Sequence, residues 1–123
     1  MCIRDSPPGS RALELGSAGA EVWHSRASAR ASLGDDPGAL EDLTRALDFD
    51  PERASAWTAR AVVRERLGDD AGAVEDCTRA LELTPEDPAP WLYRGFSRAK
   101  QGDYAGGVSD GSRAVELLSL IHI

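Results

Sequence analysis

The chain has 123 residues, enough for one domain with one continuous core. It carries 14 basic against 21 acidic residues, a net charge of −7, which argues against a nucleic-acid partner because phosphate binding draws on clustered Lys and Arg. No apolar run reaches the roughly 18 residues that span a bilayer, and the N-terminal stretch lacks the apolar centre of a signal peptide, so a soluble chain with no membrane partner is expected, cytoplasmic by default.

In chain order, the first segment is MCIRDS, residues 1–6, and the last is LSLIHI, residues 118–123. Neither resembles the composition between them. Back-translated, the first is the reverse complement of the second, as one short DNA element read in both orientations would be. Both ends are therefore read as translated sequencing adapter and set aside from functional reasoning. That removes Cys2 and His122 as candidates for chemistry.

A period organises everything between. Trp23, Trp57 and Trp91 recur every 34 residues, as do Gly34, Gly68 and Gly102. Arg26, Arg60 and Arg94 keep the spacing, and so do Arg30, Arg64 and Arg98; Asp42, Asp76 and Asp110; and Ala46, Ala80 and Ala114. Residues 7–19 read as the remnant of a truncated repeat, because Arg11 to Leu15 (RALEL) matches the phrase that ends later periods. Residues 20–53 form the first repeat, 54–87 the second and 88–117 a truncated third. The natural protein is expected to extend past both ends.

Each period reads as two helices. The first helices are expected near Ala20–Leu33, Ala54–Leu67 and Pro88–Gln101, with Trp, Arg, a small residue and Arg along one seam. Gly34, Gly68 and Gly102 then stop the helix in the left-handed cap conformation. Asp36, Asp70 and Asp103 are the expected N-caps of the second helices. These run near Pro37–Phe49, Ala71–Leu83 and Tyr104–Leu117, with Ala39, Leu40, Leu43, Ala46, Leu47 and their equivalents turned inward. Pro51 and Pro85 end the pairs. A single pair cannot bury its own apolar face, whereas stacked pairs can.

These residues resemble the tetratricopeptide repeat. The period matches, and the middle repeat fills the family's series with Trp57, Ala61, Leu67, Gly68, Ala73, Cys77, Ala80 and Pro85. The resemblance covers residues 10–117. It implies an all-α, right-handed solenoid of helix-turn-helix repeats that acts as a protein-interaction scaffold, with its ligand site on the concave surface lined by the first helices. The alternatives are an accessory repeat region of a larger enzyme or signalling protein, and a self-association module. The chain departs from the family in two ways. Arg30, Arg64 and Arg98 occupy a usually aromatic position. Gly106, Gly107 and Gly111 fall within the last helix, where each costs roughly 1 kcal/mol against Ala and makes that helix the expected weak element.

The candidate ligand face lies opposite the Trp seam. It is polar in the first repeat (His24, Ser25, Ser28) and turns apolar in the third. Val62, Leu92, Tyr93 and Phe96 are the expected peptide anchors, with Thr58 and His24 beside them, and an exposed apolar patch of that kind marks a partner site. Some family members clamp the C-terminal carboxylate of heat-shock chaperones with Lys, Arg and Asn. The matching positions here are His24, Ser28, Ala59, Ala89 and Tyr93, none of which carries the needed group.

The Arg and Asp ladder reads as structural ion pairing, with aliphatic stems packed on Trp. Cys77 reads as a small core residue. His24 has no companions for a metal site, which would want four ligands. No phosphate loop, nucleophile–base pair or separated carboxylate pair is visible, so no cofactor, no metal and no enzymatic activity are expected. Usage rich in Ala, Arg and Gly points to a GC-rich, bacterial genome.

Overall fold

A computed structural model describes residues 8–121, with side chains for residues 18–121. Six helices follow one another: α1 (Pro8–Ser32), α2 (Asp36–Phe49), α3 (Ala54–Arg66), α4 (Asp70–Leu83), α5 (Pro88–Lys100) and α6 (Tyr104–Ile121). No strand occurs among the described residues. They fall into two compact units, one ending at Arg53 and one beginning at Ala54. The first holds the α1–α2 pair. The second holds α3–α4 and α5–α6, with α4 packed on α5 and a smaller contact between α3 and α5.

Each pair is joined by the same tight turn. Gly34, Gly68 and Gly102 have φ of 85°, 89° and 93°, a region closed to most side chains. Around each, two hydrogen bonds close the helix end. Gly34 N donates to Ala31 O at 3.0 Å and Asp35 N to Arg30 O at 2.8 Å. The same pair of bonds recurs at Gly68 with Asp69 and at Gly102 with Asp103. This geometry satisfies carbonyls that the ending helix leaves free.

The N-caps correct the sequence reading by one residue in two of the three pairs. Asp35 and Asp69, not Asp36 and Asp70, accept from the backbone N–H of Gly38 (3.0 Å) and Gly72 (2.9 Å). Asp103 does the same for Gly106 at 2.9 Å, as expected. The 34-residue period already favoured this set, since positions 35, 69 and 103 are all Asp, whereas the series of 36 and 70 ends in Tyr104. Asp36 and Asp70 sit instead in the first helical turn, where a carboxylate favours the helix dipole.

Two helices overrun the expected bounds. α1 begins at Pro8 rather than near Ala20, and α6 continues past Leu117 to Ile121. The cause is a missing breaker. Pro51 and Pro85 follow α2 and α4, but the equivalent positions one period away are Ser17 and Ser119, which a helix accommodates.

The core is made of small side chains. Ala20, Ala27, Ala39, Leu43, Ala46 and Leu47 are buried in the first unit; Ala61, Ala73, Cys77, Ala80, Leu81 and Ala114 are buried in the second. Between α5 and α6 the backbones come close together. A Cβ on Gly95 would lie 3.0 Å from Gly107 O, and one on Gly107 would lie 3.0 Å from Gly95 O. Two glycines thus let these backbones meet where the other pairs use alanine. Of the three glycines expected to weaken α6, Gly106 accommodates the cap and Gly107 the packing, while Gly111 has nothing within 4 Å of its missing Cβ.

Candidate functional site

The charged ladder is the most regular chemistry in the molecule. Asp42, Asp76 and Asp110 are buried, and burying a carboxylate costs free energy unless it is paired. Arg60 grips Asp76 with two parallel bonds, Nε to Oδ2 at 2.9 Å and Nη2 to Oδ1 at 3.0 Å, and Arg64 Nη1 adds a third at 3.2 Å. Arg94 and Arg98 repeat this on Asp110, at 2.9, 3.0 and 2.9 Å. In the first unit the contacts loosen: Arg26 Nε lies 3.1 Å and Arg30 Nη1 3.5 Å from Asp42. The guanidinium groups also stack on the tryptophans. Arg60 and Arg79 lie 5.0 and 5.4 Å from the Trp57 ring centre, Arg26 and Arg45 lie 5.6 and 5.0 Å from that of Trp23, and Arg94 lies 5.1 Å from that of Trp91. With its positive charge spent on Asp and Trp, the ladder ties each first helix to its second.

Two further candidates resolve into structure. Cys77 is fully buried beside Ala61 and Ala73. Burial, and then the neighbouring Asp76 charge, push its thiol up to about 12, far from a reactive thiolate. His24 is half-buried, and its Nδ1 accepts from Arg53 Nε at 3.2 Å. Burial, followed by the Arg53 charge, lowers its pKa below the ordinary value. Among the described residues no three His, Cys, Asp or Glu side chains are placed to hold a metal ion. No described helix is long and apolar enough to cross a membrane.

The apolar candidates lie in the second unit. On α5, Leu92 is 52 %, Tyr93 40 % and Phe96 59 % exposed. Leu92 and Phe96 line a cleft of about 340 Å³ between α5 and α6, whose far wall is Tyr104 and Val108 and whose floor is Gly95, Gly107 and Gly111. Tyr93 does not line it. Thr58 and Val62 occupy the corresponding places on α3, where they are half-buried, and the Thr58 hydroxyl is turned back onto Ala54 O at 3.2 Å. His24 belongs to the first unit.

Sequence reasoning missed Tyr104 and Val108. Both are large, apolar and exposed, and they sit one helical turn apart on α6. The signal was present. One period earlier the same positions hold Asp70 and Val74, so an acidic residue gives way to an aromatic one. Lys100 borders the cleft as well. It pairs with Glu65 and Asp70 and lies 5.7 Å from the Phe96 ring centre. The Glu65 hydrogen bond is the main cause that raises its pKa.

Solved structures share the fold. The first tetratricopeptide domain of Spaghetti (RPAP3), bound to HSP90 peptide SRMEEVD, is 27 % identical with a TM-score of 0.81, over 82 % of this chain and 80 % of that one. The first tetratricopeptide domain of human RPAP3 is 26 % identical with a TM-score of 0.80, over 83 % and 80 %. The tetratricopeptide domain of Arabidopsis OM64 is 22 % identical with a TM-score of 0.81, over 83 % and 84 %. No protein-family model matches the chain, and no curated protein sequence matches it. The six helices, the glycine turns and these neighbours establish an all-α helical-repeat fold of the tetratricopeptide type.

Proposed function

We propose that the chain is a protein-interaction scaffold that binds a peptide or protein segment through the apolar face of its second unit. Leu92, Tyr93 and Phe96 are the anchors, Val62 and Thr58 extend the face along α3, and His24 contributes in the first unit alone. The observation that carries this reading is the group of large apolar side chains left exposed on α5 around the cleft with α6. Exposed patches of this kind on soluble proteins commonly mark partner sites. The peptide-bound neighbour supports the class of function. It does not carry over its ligand chemistry, because His24, Ser28, Ala59, Ala89 and Tyr93 supply no cation or carboxamide for an acidic peptide. The expected ligand presents apolar side chains to the cleft.

A displayed library of random peptides, panned against the intact chain, tests this. Apolar-anchored sequences are expected to be enriched, and Phe96→Glu is expected to lose them while helicity by circular dichroism is kept. If Phe96→Glu instead collapses the thermal melt, Phe96 is core and the assigned face is wrong. Enrichment that ignores Phe96→Glu would place the ligand elsewhere.

A further inference from the structure

Two residues break the period together, and they touch. The turn between α2 and α3, residues 50–53, is built like the turn between α4 and α5, residues 84–87: Arg53 N donates to Asp50 O and Asp87 N to Thr84 O, each at 3.2 Å. Asp87 ties its turn forward, accepting from Ala89 N at 3.1 Å as the cap of α5. One period earlier stands Arg53, whose side chain has no oxygen with which to cap α3. Its Nε donates backward instead, to His24 Nδ1 on α1 at 3.2 Å. His24 in turn occupies the position that later periods fill with Thr58 and Leu92. The Thr58 hydroxyl bonds its own helix at Ala54 O, and Leu92 has no polar side-chain atom. Arg53 closes the first compact unit and Ala54 opens the second, so the bond lies wholly within the first unit, at the joint between the two.

The chemistry of this bond is switchable. As an acceptor, Nδ1 has no proton, so the neutral ring carries its proton on Nε2. Protonation puts an N–H where the lone pair was. Two donors and two positive charges then oppose each other. A guanidinium has donors and no acceptor, so no rearrangement of the pair restores the bond. Burial, and then the Arg53 charge, act on the ring and lower its pKa, so protonation comes below the ordinary imidazole range. The charged groups on the surrounding elements are engaged or exposed. On α2, Asp42 is held by Arg26 and Arg30, and Arg45 lies over Trp23. In the turn, Asp50 accepts from Glu52 N, and Glu52, like Glu21 on α1 and Asp48 on α2, is exposed. None of these carboxylates adds to the two effects on the ring.

We propose that the His24–Arg53 hydrogen bond is an acid-released latch on the joint between the two units. A neutral His24 holds Arg53, and with it the turn at 50–53, to α1; a protonated His24 lets both go, and the joint loosens. The α4–α5 turn has no such device, because Asp87 anchors it to α5 through a backbone N–H that does not titrate. The latch needs no ligand, so it stands or falls independently of the peptide-binding face.

Nuclear magnetic resonance of the intact, isotope-labelled chain, titrated from about pH 7.5 to about pH 5, tests this. At the upper end a scalar coupling across the bond from Arg53 Nε to His24 Nδ1 is expected. The backbone order parameters of Glu52 and Arg53 are expected to fall from about 0.85 to below about 0.6 with the midpoint of the His24 titration, while those of Leu43 and Leu47 in α2 hold. His24→Gln has no ring to protonate and is expected to show no such step. Arg53→Asp gives α3 the cap that Asp87 gives α5 and is expected to keep the turn ordered throughout. A missing coupling at the upper end overturns the proposal. So does a turn whose order ignores the His24 titration, or a loss of order that spreads equally through α2, which is general acid unfolding. The same step in either variant overturns it as well; if a variant fails to fold, the wild-type titration decides alone.

Discussion

At the residue scale, the buried carboxylates decide most. Asp76 holds two guanidinium groups, and removing it leaves both without their anion in a place water reaches poorly. Asp76→Ala is expected to cost about 3 kcal/mol, the range for breaking a buried ion pair from one side. Asp42→Ala is expected to cost less. The Arg26 side chain is half exposed and can recover hydration, and the contacts that Arg26 and Arg30 make to Asp42 are longer. Urea denaturation of the two variants checks the order. His24 gives the pH dependence. Its folded pKa lies below the unfolded value, so the unfolded chain binds more protons as pH falls below about 6.5. The His24 contribution is therefore full above that pH and is lost as pH falls through the folded pKa. The melting temperature of wild type is expected to drop from pH 7 toward about 5 by more than that of His24→Gln, and a nuclear magnetic resonance titration should place the His24 midpoint below the ordinary value.

At the element scale, the glycines of the second helices separate into those that have a task and one that does not. A Cβ on Gly72 would fall 2.2 Å from the Asp69 carboxylate that caps α4, and 2.9 Å from Arg64 Cδ. Gly72→Ala is expected to displace the cap and cost about 1 kcal/mol. Gly111 has open space where its Cβ would be, and it lies inside α6. Gly111→Ala is expected to stabilise by about 0.5–1 kcal/mol through helix propensity and a smaller unfolded-state entropy. Thermal melts of both variants check the opposite signs; a gain from Gly72→Ala would show that the Asp69 cap contributes little.

At the scale of the whole molecule, charge and surface chemistry point the same way. A chain of net charge −7 with no cationic clamp repels an acidic ligand. The peptide SRMEEVD, seen with a structural neighbour, is expected not to bind this chain at ~100 μM in calorimetry. Binding at that level would show that cations outside the expected clamp positions, Arg66 or Lys100, had taken over the role.

The sequence alone determined the period, the pairing of helices and the ladder. These depend on residues whose effect is local or strictly repeated: a glycine that accepts positive φ, a proline that ends a helix, an Arg and an Asp that recur together. The register of the caps was also legible, because Asp35, Asp69 and Asp103 keep the period, although a neighbouring carboxylate obscured two of them. The long reach of α1 and α6 was written in Ser17 and Ser119, where the proline is missing. Tertiary structure decided what no single position reveals. Gly107 looks like a weak point in a helix until Gly95 O is found 3.0 Å from its missing Cβ. Leu92 and Phe96 look like one face of one helix until Tyr104 and Val108 close the other side of the cleft. Whether a side chain is core, cap or open surface depends on which helix packs against it, and that follows from how closely the helix backbones approach, which no single position records.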